Sequence, residues 1–207
     1  MQDKKASILF VSKHAVHEKM AMAGNQFFYH TLLSFCQDNR FDVGIITVQK
    51  KGEDLSNMQE AFRSKASDFS VALPRLMTLF TYFFYNTKLR IWLSSLRADW
   101  YLLDPIYRHF FKKAIKKANE KGFKPDIVVL EWTEVLFLEG FCKKLFPQAK
   151  IVVTEHDVSF TKVDRRFQNE PNIKKRLVLP FKQKELSALQ KVDIIRVLSK
   201  DDQVILN

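Results

Sequence analysis

Short runs of aliphatic and β-branched residues recur along this chain, separated by stretches whose apolar residues return every three or four positions. The runs are Ile8–Ser12, Phe41–Val48, Phe69–Leu73, Pro125–Trp132, Lys150–Thr154 and Asp193–Leu198. Strands of this length joined by helical crossovers specify a parallel sheet. The runs are continuously apolar, so helices must cover both faces of that sheet. The expected fold class is α/β, a doubly wound, mostly parallel sheet.

The punctuation agrees. Gln26 to Gln37 repeats Phe27, Phe28, Thr31, Leu32 and Phe35 at helical spacing, and Met58 to Ala66 predicts a short helix. Asp104-Pro105 is a helix start, an N-cap acceptor followed by proline at the first helical position. The helix it opens runs to Lys121, with Gly122 placed to close it. Thr133 to Phe146 predicts a helix stopped by Pro147. Lys174 to Lys191 predicts another that Pro180 kinks or splits. Ser199 is an N-cap ahead of Asp201 and Asp202. The sequence ends two helical turns later at Asn207, as if cut near a domain boundary. Residues 76–103 read as helix, turn, helix, with Leu76, Leu79, Phe80, Tyr82, Phe83, Phe84, Tyr85, Trp92, Trp100 and Tyr101 on more than one face. Core, an exposed docking patch and the wall of an acceptor groove are all compatible with that pattern.

Among 207 residues, 46% are apolar and 28% charged, which excludes global disorder. Two cysteines, Cys36 and Cys142, are too few for a disulfide scaffold or a cysteine-rich zinc site, and both fall in helices as core. No apolar signal core follows Met1, and Leu76 to Tyr85 is too short to span a bilayer. A cytoplasmic, reducing compartment is the expectation. The net charge of +11 is regional: windows 108–124 and 162–184 each carry a surplus of six, and the rest is near neutral. Either an anionic partner or two solvated helix faces accounts for this. Arg108, Lys112 and Lys116 fall on the polar half of their helix and are the candidate contacts to a membrane or anion.

In open parallel sheets the ligand sits beyond the strand carboxyl ends where strand order reverses. With the common order 3-2-1-4-5-6, three segments meet there: the His14–Gly24 loop, Glu131-Trp132 with Thr133 and Glu134, and Glu155-His156-Asp157. Gly24 at a helix start lets backbone approach an anion, or merely allows a tight turn. Neither G-x-G-x-x-G nor G-x-x-x-x-G-K-[ST] occurs, which argues against nicotinamide, flavin and P-loop chemistry. His156 is either a hydrogen-bonding or acid/base group or a structural histidine held by Asp157. Glu131 beside Trp132 suits a sugar-like ligand, or else Glu131 pairs with a lysine. His14 and His17 lack a third ligand, so no metal site is expected; His14 is read as facing the cleft.

The chain resembles the N-terminal, acceptor-side domain of family-4 glycosyltransferases, which have the GT-B fold. The match runs through Ile8–Ser12 with Gly24, Pro125-Asp-Ile-Val-Val-Leu-Glu-Trp132, Ile151-Val-Val-Thr-Glu-His-Asp157, Glu185, and Val192-Asp-Ile-Ile-Arg-Val-Leu-Ser199. The resemblance implies a single Rossmann-like domain over 1–207, with an aromatic-rich helical insertion at about 74–104. A C-terminal nucleotide-sugar-binding domain, which carries the family's paired glutamates, is absent from these residues, so the fragment alone is expected to be inactive. By position, Ala23 and Gly24 resemble the loop near the donor phosphates, though the family often has two glycines there. His156 resembles the catalytic histidine that approaches the transferred sugar; His14, Glu131, Trp132 and Asp157 are acceptor-side candidates. The implied chemistry is retaining transfer of a hexosyl group from a nucleotide-sugar to an acceptor hydroxyl, with no cofactor and no metal. A saccharide or lipid-linked acceptor in cell-envelope or polysaccharide synthesis, met at the inner membrane face, fits a basic aromatic-rich domain. The alternatives are a freestanding basic α/β module binding anionic lipid or nucleic acid, or a GT-B sugar-nucleotide epimerase. Nucleic acid is disfavoured, since no recognised nucleic-acid motif is present.

Overall fold

The computed structural model describes residues 5–15, 22–49, 56–62, 65–85 and 88–206. His17, most of the loop between His14 and Gly24, residues 50–55, and the side chains of Phe83, Phe84 and Tyr85 lie outside the described set.

In chain order the elements are β1 (Ala6–Ser12), α1 (Ala23–Gln37), β2 (Phe41–Gln49), α2 (Ser56–Phe62), β3 (Ser67–Asp68) and β4 (Val71–Ala72). Two helices of the aromatic-rich insertion follow, α3 (Arg75–Tyr85) and α4 (Lys88–Leu96), then a 3-10 turn at Ala98–Tyr101. Then come α5 (Pro105–Glu120), β5 (Ile127–Glu131), α6 (Thr133–Leu136), α7 (Glu139–Leu145), β6 (Lys150–Glu155) and α8 (Ser159–Arg166). The chain closes with α9 (Pro171–Ile173), a wide turn over Lys174–Val178, α10 (Leu179–Leu189), β7 (Ile194–Val197) and α11 (Lys200–Leu206).

The sheet is seven-stranded, ordered β3-β2-β1-β5-β6-β7 with β4 also on β2, and its pairings are parallel. It is a Rossmann-like α/β sheet flanked by helices, and its order reverses between β1 and β5. Strand alternation divides the core. Ile8, Phe10, Val43, Ile45, Val129 and Val152 pack with Phe28, Tyr29 and Leu32 of α1. Leu9, Val11, Ile46, Val48, Val128, Leu130, Ile151 and Val153 pack with Phe111, Ile115 and Phe181 on the opposite face.

Two expected elements take a different form. The third strand is two short pieces, because Asp68 Oδ1 accepts from the Ser70 N–H and turns the chain between them. The helix expected over Thr133–Phe146 breaks after Leu136, where the chain turns through Phe137 and Leu138 before restarting at Glu139. Pro180 splits its helical stretch as expected, into the wide turn over Lys174–Val178 and α10 from Leu179. It sits in the first turn of α10, where a proline needs no N–H partner, and the wide turn before it absorbs the join. In α3 and α4 the polarity is inverted: Thr81 and Ser94 are buried, while Leu76, Leu79, Phe80, Tyr82, Trp92 and Leu96 are exposed.

Two aspartates explain strand starts that the sequence marks. Asp126 Oδ2 accepts from the Ser7 N–H at 2.8 Å, and Asp193 Oδ2 from the Ile151 N–H at 2.8 Å. Each caps the neighbouring strand, and the Ile151 N–H is the main cause holding the Asp193 carboxyl below its usual range. Asp104 Oδ1 accepts from Ile106 N and Tyr107 N, both at 2.9 Å, and Gly122 closes α5 at φ +82°. Replacing Asp104 with alanine should cost about 1–2 kcal/mol of stability with the sheet intact. Chemical denaturation of Asp104→Ala measures this, and an unchanged midpoint would contradict the capping role.

Candidate functional site at the carboxyl edge of the sheet

Parallel register sets the site. Ser12 of β1 lies opposite Glu131 of β5, and Glu131 opposite Thr154 of β6. Alternation turns Glu131 and His156 toward the α1 face, with Phe10, Val129 and Val152. His156 Nε2 lies 2.8 Å from Glu131 Oε1, and both side chains are buried. The sequence offered Asp157 as the structural partner of His156 and a lysine as that of Glu131, each against a ligand-binding role; the two side chains pair with each other instead. Asp157 is exposed and paired with Lys162.

Trp132 roofs this pair. Its ring stacks on His156 at 4.4 Å with an 18° interplanar angle, and meets Phe28 and His14 edge-on at 5.6 and 4.9 Å. Such contacts are worth about 0.5–1.5 kcal/mol each beyond burial. The tryptophan reaches this place through backbone strain. Its φ of 74° with ψ of 148° makes it the one non-glycine residue at positive φ among the described residues. A backbone state of this kind costs roughly 1–3 kcal/mol and persists only where surroundings over-determine it. Its N–H donates to Thr154 O and its C=O accepts from the Val135 N–H, both at 3.1 Å, which pins it on both sides.

The amino end of α1 closes the site. A Cβ at Gly24 would lie 2.9 Å from His156 Nδ1, so only glycine allows the helix this close to the ring. Ala23 is the first residue of α1 and is exposed, and Phe27 meets His156 edge-on at 6.0 Å. Among the described residues, His156 Nδ1 and Glu131 Oε2 are buried without a hydrogen-bond partner. A buried carboxylate accepts from Nε2–H, which leaves the Nδ1 lone pair as the ring's free acceptor. The arrangement is a positioned imidazole, oriented by a carboxylate and screened from water by an indole. Its unpartnered Nδ1 is buried against Gly24, so it meets a ligand hydroxyl only where α1 or the ring shifts aside.

On the opposite face lies a group that sequence reading missed. Glu155 is fully buried and accepts from the Thr133 hydroxyl; Glu185 of α10 is fully buried and accepts from the Ser159 N–H at 2.9 Å. Burial pushes the Glu185 carboxyl up to about 7, and burial with Glu185 nearby raises Glu155 well above its usual range. The available signal was strand alternation: in Thr-Glu-His-Asp, adjacent Glu155 and His156 must leave on opposite faces.

The basic candidates separate. Arg108 is not on a solvent face; it is ion-paired with buried Asp99. Lys112 lies 5.3 Å over the Phe141 ring, and Lys116 is exposed. Burial pushes the Cys142 thiol up to about 12 and the Cys36 thiol up to about 11, so neither is an activated nucleophile. Among the described residues, no three His, Cys, Asp or Glu side chains are placed to hold a metal ion.

No family model matches the chain, and no curated protein matches it. Solved structures do. The Candida albicans trehalose-6-phosphate phosphatase N-terminal domain superposes with a TM-score of 0.55 at 14% identity, covering 97% of this chain and 42% of that one. That likeness is one of fold. Other neighbours are UGT2 of Phytolacca americana complexed with UDP-2fluoro-glucose and pterostilbene (TM-score 0.45, 7% identity, 81% and 33% covered). A UDP-glucosyltransferase from Polygonum tinctorium is similar at a TM-score of 0.42 and 11% identity, again over 81% and 33%. The chain spans less than half of each of these structures.

Two measurements probe the site. Gly24→Ala should displace the His156 ring or α1 and cost about 1–3 kcal/mol, read by denaturation and by the His156 Hε1 chemical shift. Glu185 holds its proton when folded up to about pH 7, whereas an ordinary glutamate loses it near 4.5. Between those values the folded chain binds the extra proton, so stability falls as pH rises, by roughly 3 kcal/mol in total. Glu185→Gln should flatten that window, and an unaltered slope would refute the assignment.

Proposed function

We propose that this chain is the acceptor-side, N-terminal domain of a GT-B glycosyltransferase of family-4 type. It works with a nucleotide-sugar-binding domain outside these 207 residues. The observation that carries the reading is the Glu131–His156 pair under Trp132, facing Gly24 at the reversal of strand order. A polar group of fixed orientation beneath an aromatic ring, beside a close-approach helix start, suits a sugar hydroxyl and its anionic leaving group.

In this reading His156 contacts the transferred hexosyl group and Glu131 positions its ring. Ala23 and Gly24 lie toward the donor phosphates, and His14, Trp132 and Asp157 toward the acceptor. Transfer proceeds with retention to an acceptor hydroxyl, in cell-envelope or polysaccharide synthesis. The exposed apolar residues of α3 and α4 support a lipid-linked acceptor met at the inner face of a membrane. No described helix is long and apolar enough to cross a membrane.

The test is the reading frame beyond Asn207 and its product. A second α/β domain with paired glutamates is expected there, together with transfer from a nucleotide-sugar. In that longer product His156→Ala should lower kcat by about 10²-fold or more, with the fold intact. A product that neither binds nor turns over nucleotide-sugars, or a His156→Ala variant of full activity, would refute it.

A further inference from the structure

On the face of the sheet away from α1, a cleft of about 210 Å³ is lined by Arg97, Asp99, Arg108, Lys112, Glu139 and Lys184. Four cations face two carboxylates there. Asp99, 1% exposed, is already divided between two guanidinium groups: its Oδ1 accepts from Arg97 Nε at 3.0 Å and its Oδ2 from Arg108 Nη2. Asp99 is thus shared by two guanidinium groups, Glu139 also acts on Arg108, and Lys112 and Lys184 line the same cleft. The lining keeps a surplus of two positive charges in a concave place.

Arg108 is the centre of that surplus. Its side chain is 13% exposed, and its Nε is buried with no hydrogen-bond partner among the described residues. Burial works against its charge, yet a guanidinium does not deprotonate at ordinary pH. A desolvated N–H on a permanent cation, inside a cleft of excess positive charge, calls for an anionic acceptor. Guanidinium forks match the oxygen spacing of phosphate, and ammonium groups add point charges around it.

The position has consequences. The carboxyl end of α5 feeds the amino end of β5, so Arg108 in the first turn lies toward the carboxyl edge, as does the His156 site. Lys13, just past β1, donates to Leu102 O at 3.2 Å in the chain leading to α5. Leu96, 68% exposed at the end of α4, directly precedes Arg97, so an apolar surface reaches the rim.

We propose that this cleft is a binding site for a phosphate monoester, which accepts from Arg108 Nε and is flanked by Arg97, Lys112 and Lys184. The inference goes beyond glycosyl transfer and does not require it. The same group can arrive free, as on a soluble sugar phosphate, or on a lipid headgroup.

The test titrates the 207-residue chain with inorganic phosphate and with glucose 6-phosphate at low ionic strength, following the Arg108 Nε–H resonance by NMR. In parallel, the chain is sedimented with phosphatidylcholine vesicles with and without phosphatidic acid. A saturable shift is expected that chloride at equal ionic strength does not produce. The Lys112→Ala/Lys184→Ala double variant removes two rim charges without touching the buried Asp99 pair. It should weaken binding at least about tenfold with an unchanged unfolding midpoint. Arg108→Lys, which keeps the charge and loses Nε, should do the same; if it fails to fold, the double lysine variant decides. Binding of the free monoester supports a soluble ligand. Binding of phosphatidic acid vesicles alone, lost in the double variant, supports the headgroup. Non-saturable shifts, equal affinity in the double variant, or no binding of either probe would overturn the proposal.

Discussion

The parallel ladder between β1 and β5 is the constraint on which the rest depends. It joins strands far apart in sequence, and it marks where the sheet order reverses. At a reversal, successive crossovers leave in opposite directions and open a crevice between strand ends. The register then dictates what lines the crevice. Ser12 opposite Glu131, and Glu131 opposite Thr154, bring the three loop starts level with one another. A slip of one residue would turn Glu131 away from His156 and onto the other core.

That same alternation separates two chemistries written in adjacent letters. His156 leaves toward α1 and meets Glu131, while Glu155 leaves toward α10 and lies near Glu185. Two buried carboxylates in one interior region hold protons well above the usual carboxylate range. Neither Glu155 nor Glu185 strengthens the fold near neutral pH through its charge. Their hydrogen bonds to Thr133 and Ser159 instead tie β6 to α6 and α10 to α8. The strained Trp132 backbone belongs to the same economy: packing against His14, Phe28 and His156 holds a conformation that L residues seldom adopt.

Much of this was legible in the sequence, for physical reasons. Continuous apolar runs and Asp104-Pro105 gave the strands and the start of α5, because burial on both faces and capping leave unmistakable residue types. Proline at 180 marks the join between the wide turn and α10, because it has no N–H to give to the preceding turn. Convergence of Gly24, Glu131, Trp132 and His156 followed from strand order. Their pairing did not, because Asp157 adjoins His156 in sequence while Glu131 comes beside it only through the strand register. Arg108 looked exposed by helical phase. Only the 3-10 turn, which brings Asp99 beside it, explains its burial. Asp126 and Asp193 cap neighbouring strands, a role visible only once the strands are paired.

The central claim is that Glu131 fixes the His156 ring with Nδ1 left as the unpartnered acceptor. Long-range proton–nitrogen NMR of the neutral imidazole tests it directly. The account predicts one tautomer, with the proton on Nε2, and loss of that preference in Glu131→Ala. A proton on Nδ1, or a rapidly averaging mixture in the unsubstituted chain, would contradict it.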